Sequence, residues 1–114
     1  MVGFIVGLIE RDGTGHVIAV GVAPECRRQG YGRWLMEQVE DGFRYQGVQT
    51  MRLEVRTSNR GAQKLYMQLG YLIVERMSHY YSNGDDGYLM IKAIGDMSPP
   101  DDQYNPANQE KSKK

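Results

Sequence analysis

Polar and apolar residues alternate from Met51 to Arg56. Met51, Leu53 and Val55 fall on one side and Arg52, Glu54 and Arg56 on the other, the mark of a strand with two distinct faces. Val2 to Glu10 is rich in β-branched and apolar residues, and Asp12-Gly13 is a turn signal before a second strand from His16 to Val22. Pro24 and a basic loop end that strand. Leu35, Val39 and Phe43 then recur every four residues, which predicts a helix from near Tyr31 to about Gly47. Ser58 or Asn59 can cap a second helix whose apolar stripe is Ala62, Leu65, Tyr66 and Leu69, with Gly70 as its stop. Strands over 71–81 and 87–94, joined by a turn at Asn83-Gly84-Asp85-Asp86-Gly87, complete the order β-β-α-β-α-β-β. The expected class is α/β, a mixed and mostly antiparallel sheet with two helices.

Composition narrows the picture. With 114 residues the chain is expected to form one domain, over 1–95. From about Asp96 the residues turn to Pro, Asp, Asn, Gln and Lys, so 96–114 is expected to be a disordered polar tail. Fourteen basic and fourteen acidic residues cancel, which argues against nucleic acid or an anionic membrane as the main partner. A single cysteine supports neither a disulfide framework nor a multi-cysteine metal site, and no metal centre is expected. No apolar run reaches transmembrane length and no signal-peptide pattern precedes the first strand, so a cytoplasmic location is expected.

Candidate chemistry begins at Arg27-Arg28-Gln29-Gly30-Tyr31-Gly32, between the second strand and the first helix. A glycine-containing basic turn at a helix N-terminus presents free backbone N–H groups and the positive end of the helix dipole, a socket for phosphate or diphosphate. No Gly-Lys-Ser/Thr follows, which removes the Walker loop. A dinucleotide fingerprint fits Gly30 and Gly32, but Leu35 stands where its third small residue belongs, and Glu54 lies inside its strand rather than at the end. The pattern Arg/Gln-x-x-Gly-x-Gly/Ala of acyl-CoA N-acyltransferases is met by Arg27, Gly30 and Gly32.

Here the chain resembles the GNAT superfamily of N-acetyltransferases, and within it the protein N-terminal (Nα) acetyltransferases. The resemblance rests on four blocks: Gly15 to Val22, Arg27 to Gly32, Leu53 to Asn59, and Tyr80 to Met90. With Ala62, Leu65-Tyr66 and Leu69-Gly70-Tyr71 they run in family order over residues 1–94. The resemblance implies the GNAT fold, acetyl-CoA as cofactor, and a protein or peptide N-terminus as substrate. It also implies a departure: the family's first strand and two helices, whose connecting loop walls the peptide site, have no counterpart before Val2. Three expectations stay open: an unusually short member of the family, a second copy or partner chain that completes those elements, and an upstream start of the chain.

Acetyl transfer from a thioester to an amine needs a neutral nucleophile, support for an oxyanion and a proton for the thiolate. Glu54 faces away from Met51, Leu53 and Val55, and the resemblance places it at the amine as general base; without the resemblance it reads as an ion-pair partner of Arg52 or Arg56. Tyr66, with a phenol near 10 against a thiol near 8.5, is the expected proton donor to sulfur, or else a core tyrosine. His16 is the auxiliary in proton removal, by resemblance to archaeal relatives, or a surface residue at a turn edge. Asn59 orients a water or touches cofactor, or simply caps the helix. Backbone groups near Val20 and Val22 are expected at the thioester carbonyl. Arg27, Arg28, Gln29, Gly30, Tyr31, Gly32 and Arg33 are expected around the coenzyme phosphates. Tyr80 and Tyr81 match the family hairpin that grips the peptide; as neighbours on a strand they should point to opposite faces. An acetyl-cysteine route through Cys26 is chemically open beside two arginines, although the family usually has a bulky aromatic there and transfers directly. Two other readings stay open: an acyl-CoA-binding module or subunit without catalysis, and acetylation of a lysine or small amine.

Overall fold

The computed structural model describes residues 2–27 and 29–95. Five strands and two helices follow one another as β1 (Gly3–Ile9), β2 (Gly15–Val22), α1 (Tyr31–Tyr45), β3 (Thr50–Arg56), α2 (Arg60–Gln68), β4 (Leu72–Met77) and β5 (Gly87–Ala93), with a short 3-10 turn at Pro24–Cys26. The sheet order is β1-β2-β3-β5-β4. The β2–β3 pair is parallel and the others antiparallel, the mixed and mostly antiparallel sheet expected from the sequence. The expected tail over 96–114 lies outside the described residues.

Both helices press their apolar stripes against one face of the sheet. Met36 and Phe43 of α1, Tyr66 of α2 and Tyr71 just beyond it are buried with Val17, Met51, Leu53, Val55 and Met90 in one core. Each such side chain contributes roughly 2 kcal/mol by leaving water. Backbone spacing makes room for the largest of them: a Cβ on Gly15 would stand 2.7 Å from the Phe43 ring, and one on Gly7 2.9 Å from it. Any larger residue at Gly15 would push Phe43 off the sheet. The opposite face of β1 and β2 shows Phe4, Val6, Leu8 and Ile18 to solvent.

One buried charge interrupts the core. Glu40 sits on the inner face of α1, where Tyr71 Oη donates to its Oε2 at 3.0 Å and Lys92 Nζ to its Oε1 at 2.9 Å. Burial, and then the negative charge of Glu40, push the Tyr71 phenol far above its ordinary value, so it stays protonated and keeps its proton to donate to Glu40.

Two boundaries differ from the sequence reading. The first helix ends at Tyr45, with Gly47 at φ 85° just beyond it. More consequential, the strand expected over 71–81 stops at Met77, so Tyr80 and Tyr81 belong to a loop. His79 takes a positive φ of 52°, which no strand accommodates. Asp86 holds this bend: its carboxylate accepts the His79 N–H at 3.0 Å and two Arg76 donors at 3.0 and 2.9 Å. The His79 amide, and then the Arg76 bonds, keep the Asp86 carboxyl below its ordinary 3.8, so this anchor stays charged at neutral pH.

Candidate active site

The parallel β2–β3 ladder covers only Gly15 with Met51, His16 with Arg52, and Val17 with Leu53. Beyond those three pairs the strands part. Val20, Gly21 and Val22 on the β2 side of the gap line a cavity of about 700 Å³ on the helix side of the sheet, with Arg27, Gly30 to Arg33 and Met36 along one wall and Asn59, Leu65 and Tyr66 along another.

One end of this cavity is built by the N-terminus of α1. Gly30 is the N-cap at φ 83°, a left-handed conformation that costs a residue with a Cβ about 1 kcal/mol or more. The first helical bond is Trp34 N to Gly30 O at 3.0 Å, leaving the amides of Tyr31, Gly32 and Arg33 without an acceptor inside the helix. Gly32 lets α2 approach: a Cβ there would meet Leu65 Cδ2 at 3.3 Å. Arg27 Nε donates to Val22 O at 3.2 Å, and Arg33 Nη2 to Gln68 Oε1 at 3.1 Å, so both guanidinium groups are held at the rim. Gly30→Ala is expected to raise the dissociation constant for coenzyme A several-fold with little change in the fold, measurable by calorimetric titration beside thermal unfolding.

Not every expected cofactor residue lands here. Gln29 lines a neighbouring apolar groove with Val2 and Trp34, and its amide is turned back to Glu25 O at 3.3 Å. Arg28 lies outside the described residues. Asn59 does both things expected of it as a position: its Oδ1 accepts the Ala62 N–H at 3.2 Å as the α2 cap, and it borders the cavity. Cys26 is half-buried on the cavity wall. Beyond Asn59 and Tyr66, sequence reading missed Met36 of α1 and Gly61, Ala62, Leu65 and Gln68 of α2. Their signal is weak, because the helix stripe looks like ordinary core.

Tyr66 is buried and borders the cavity. Burial, and then the neighbouring Tyr81, push its phenol above 10. This corrects the simple expectation for proton donation. Complete transfer from a phenol at or above 10 to a thiolate whose acid lies near 8.5 runs uphill by roughly 2 kcal/mol or more. A hydrogen bond donated to the sulfur is the service that such a phenol can give.

Glu54 and His16 lie on the other side of the sheet. Their side chains are only 13% and 12% exposed. His16 Nε2 is 2.7 Å from Glu54 Oε1, and its Nδ1 is 2.9 Å from Glu10 Oε2. Arg52, the partner of His16 across the ladder, donates from Nη2 to Glu10 Oε2 at 3.0 Å. The Tyr80 and Tyr81 rings stack edge to face 5.0 Å apart, and Arg56 sits 4.2 Å above the Tyr81 ring. Burial and then the Glu54 charge raise the Tyr80 phenol; burial and then Tyr80 raise that of Tyr81. Both therefore stand neutral at the Glu54 end of the gap. Among the described residues no group of His, Cys, Asp and Glu is disposed to hold a metal ion, and no helix is long and apolar enough to cross a membrane.

The model of the acetyltransferase (GNAT) family matches residues 1–71. The chain belongs to that family. The N-terminal acetyltransferase B complex catalytic subunit of Arabidopsis thaliana is 42% identical over an alignment of 98 residues that covers 82% of this chain and 56% of that protein. Among solved structures, Ard1 from Thermoplasma volcanium superposes with a TM-score of 0.77 at 34% identity, covering 81% of this GNAT chain and 62% of Ard1. Chaetomium thermophilum Naa20, crystallised with a bisubstrate analogue, gives 0.76 at 32% identity, covering 81% of this chain and 59% of its own. The GNAT chain thus spans little more than half the length of the curated relative it matches.

Proposed function

We propose that this chain transfers an acetyl group from acetyl-CoA to the free α-amino group of a protein or peptide N-terminus, by direct attack in a ternary complex. One observation carries the reading. A phosphate-ready cavity on the helix side and a shielded carboxylate on the other side meet at a single gap between β2 and β3. A thioester reaching through that gap from the cavity would present its carbonyl to an amine held near Glu54. The likeness to the Arabidopsis N-terminal acetyltransferase subunit, and to a Naa20 structure holding a bisubstrate analogue, supports the choice of acceptor.

The chemistry follows from proton economy. An α-amino group near pKa 8 costs roughly 1 kcal/mol to deprotonate at neutral pH, against about 4–5 for a lysine. Glu54, a modest base, suffices for the first. Attack by the neutral amine places negative charge on the carbonyl oxygen, where unpaired β2 amides at the gap would meet it. As the carbon–sulfur bond breaks, the Tyr66 hydroxyl donates a hydrogen bond to the sulfur, and the second proton shed by nitrogen ends on the thiolate. Tyr80 and Tyr81, at the Glu54 end, would hold the peptide backbone.

The test offers purified protein acetyl-CoA with short peptides of varied first residues and with an N-blocked peptide carrying an internal lysine. Acetylation of free N-termini alone, read by mass spectrometry, is expected. Transfer to the lysine would replace the proposed acceptor, and coenzyme binding without any transfer would make the chain a binding module.

A further inference from the structure

The overall reaction releases a proton that has to leave the site. R–NH3+ and CH3CO–S–CoA become R–NH–CO–CH3, HS–CoA and H+; one nitrogen proton ends on sulfur and the other goes to solvent. Glu54, the proposed first acceptor, is nearly buried, and its own route to water is restricted.

We propose that Glu10 is a positioning residue that completes a proton exit line, Glu54 to His16 to Glu10, through which this proton reaches solvent. The inference rests on the acetyl-transfer reading above and adds a residue that neither the family pattern nor the cavity lining includes. Its basis is contact geometry. The two ring nitrogens of His16 are spanned by carboxylate oxygens at 2.7 and 2.9 Å, one at Glu54 and one at Glu10. Exposure rises along the line, from 13% at Glu54 and 12% at His16 to 29% at Glu10. Glu10 is itself fixed, because its backbone closes the β1–β2 turn through Glu10 N to Thr14 O and Gly13 N to Glu10 O, both 2.8 Å.

Proton counting supports a relay over a static ion pair. Ionised carboxylates only accept, so a neutral imidazole, with one N–H, cannot satisfy both. In the tautomer that donates from Nδ1 to Glu10, Nε2 faces Glu54 with its lone pair, and both contacts become hydrogen bonds when one further proton enters from the amine. A proton arriving at Glu54 passes to Nε2 across 2.7 Å. The Nδ1 proton then moves to Glu10 and on to water. Once Nδ1 is bare it becomes an acceptor, and Arg52 Nη2 stands 3.3 Å from it, ready to donate. Every transfer is of a proton alone, and the ring resets by exchanging tautomers. The charged or titratable groups facing His16 are Glu10 from the end of β1 and Arg52 and Glu54 from β3. Tyr80, from the β4–β5 loop, senses both Glu54 and Arg52.

Glu10→Gln keeps the size and can still accept from Nδ1, but cannot take its proton. Turnover is expected to fall about tenfold, with KM for acetyl-CoA unchanged and the melting temperature preserved. Added imidazole buffer should restore turnover in the variant and leave the natural protein unaffected. Turnover within twofold of the natural protein, or a loss that buffer does not relieve, would overturn the proposal. A second readout needs no turnover: 15N shifts of the His16 ring should show a Nδ1–H in the natural protein and a redistribution between Nδ1 and Nε2 in Glu10→Gln. Identical shifts would remove Glu10 from the line. If the natural protein acetylates no N-terminus yet the ring shifts respond as expected, the acceptor reading fails while the contact line stands.

Discussion

Glu54→Gln is expected to lower acetyl transfer about 10²- to 10⁴-fold, the usual contribution of a positioned general base, while coenzyme A binds as before. The separation of the two effects follows from the sheet. Glu54 points to the face opposite the helices and is not among the cavity-lining residues, so the amide cannot disturb the α1 end of the cavity. Glutamine also keeps the volume and a polar contact to His16, which limits structural collateral. What it lacks is a lone pair basic enough to take a proton from an ammonium. The deficit should shrink as pH rises past about 8, because the α-amine then deprotonates unaided. Steady-state kinetics from pH 6 to 9.5, with calorimetric titration of coenzyme A, tests both halves. A variant within threefold of the natural rate, or one that loses coenzyme affinity in parallel, would show that Glu54 is not the base.

The largest effect on stability is expected at Lys92→Met. Glu40 is 5% exposed and rests on Lys92 Nζ at 2.9 Å and Tyr71 Oη at 3.0 Å, with Arg44 Nη2 more distant at 3.9 Å. Removing the ammonium leaves a carboxylate in the core with one neutral donor and a remote, half-exposed cation. Breaking such a pair costs about 3 kcal/mol, or roughly 15 °C in melting temperature for a domain of this size. Adding Glu40→Gln removes the stranded charge yet keeps an acceptor for Tyr71, and the double variant should regain at least half of the loss. If instead the two losses add, the cost lies in Lys92 stem packing and not in the charge.

What could be read from the sequence was local. The two faces of β3 and the four-residue rhythm of α1 are written in consecutive residues, so the sequence alone separates Glu54 from Leu53 and Val55. The loop at Gly30 was equally legible, since a left-handed cap needs glycine. Glu40 was not: a glutamate on a helix looks solvated, and its partners stand 31 and 52 residues away. Glu10 has the same history, since Arg52 is 42 residues distant and only the β1–β2–β3 register brings them together. Tyr80 and Tyr81 misled for another reason. Their β propensity extends the strand on paper, while Asp86 binds Arg76 and His79 and turns the chain away.

The short β2–β3 ladder has a thermodynamic side. A sheet with an open seam between its central strands is a fold left unfinished, and whatever molecule lies along that seam does part of a strand's work. Under the proposed reading the amide-bearing arm of acetyl-CoA is that molecule. Saturating coenzyme, at about a hundredfold over its dissociation constant, would add roughly 2.7 kcal/mol to the stability of the domain by mass action alone. Substrate and scaffold are then one ledger: each release of coenzyme A reopens the sheet, and the chain is at its softest between turnovers.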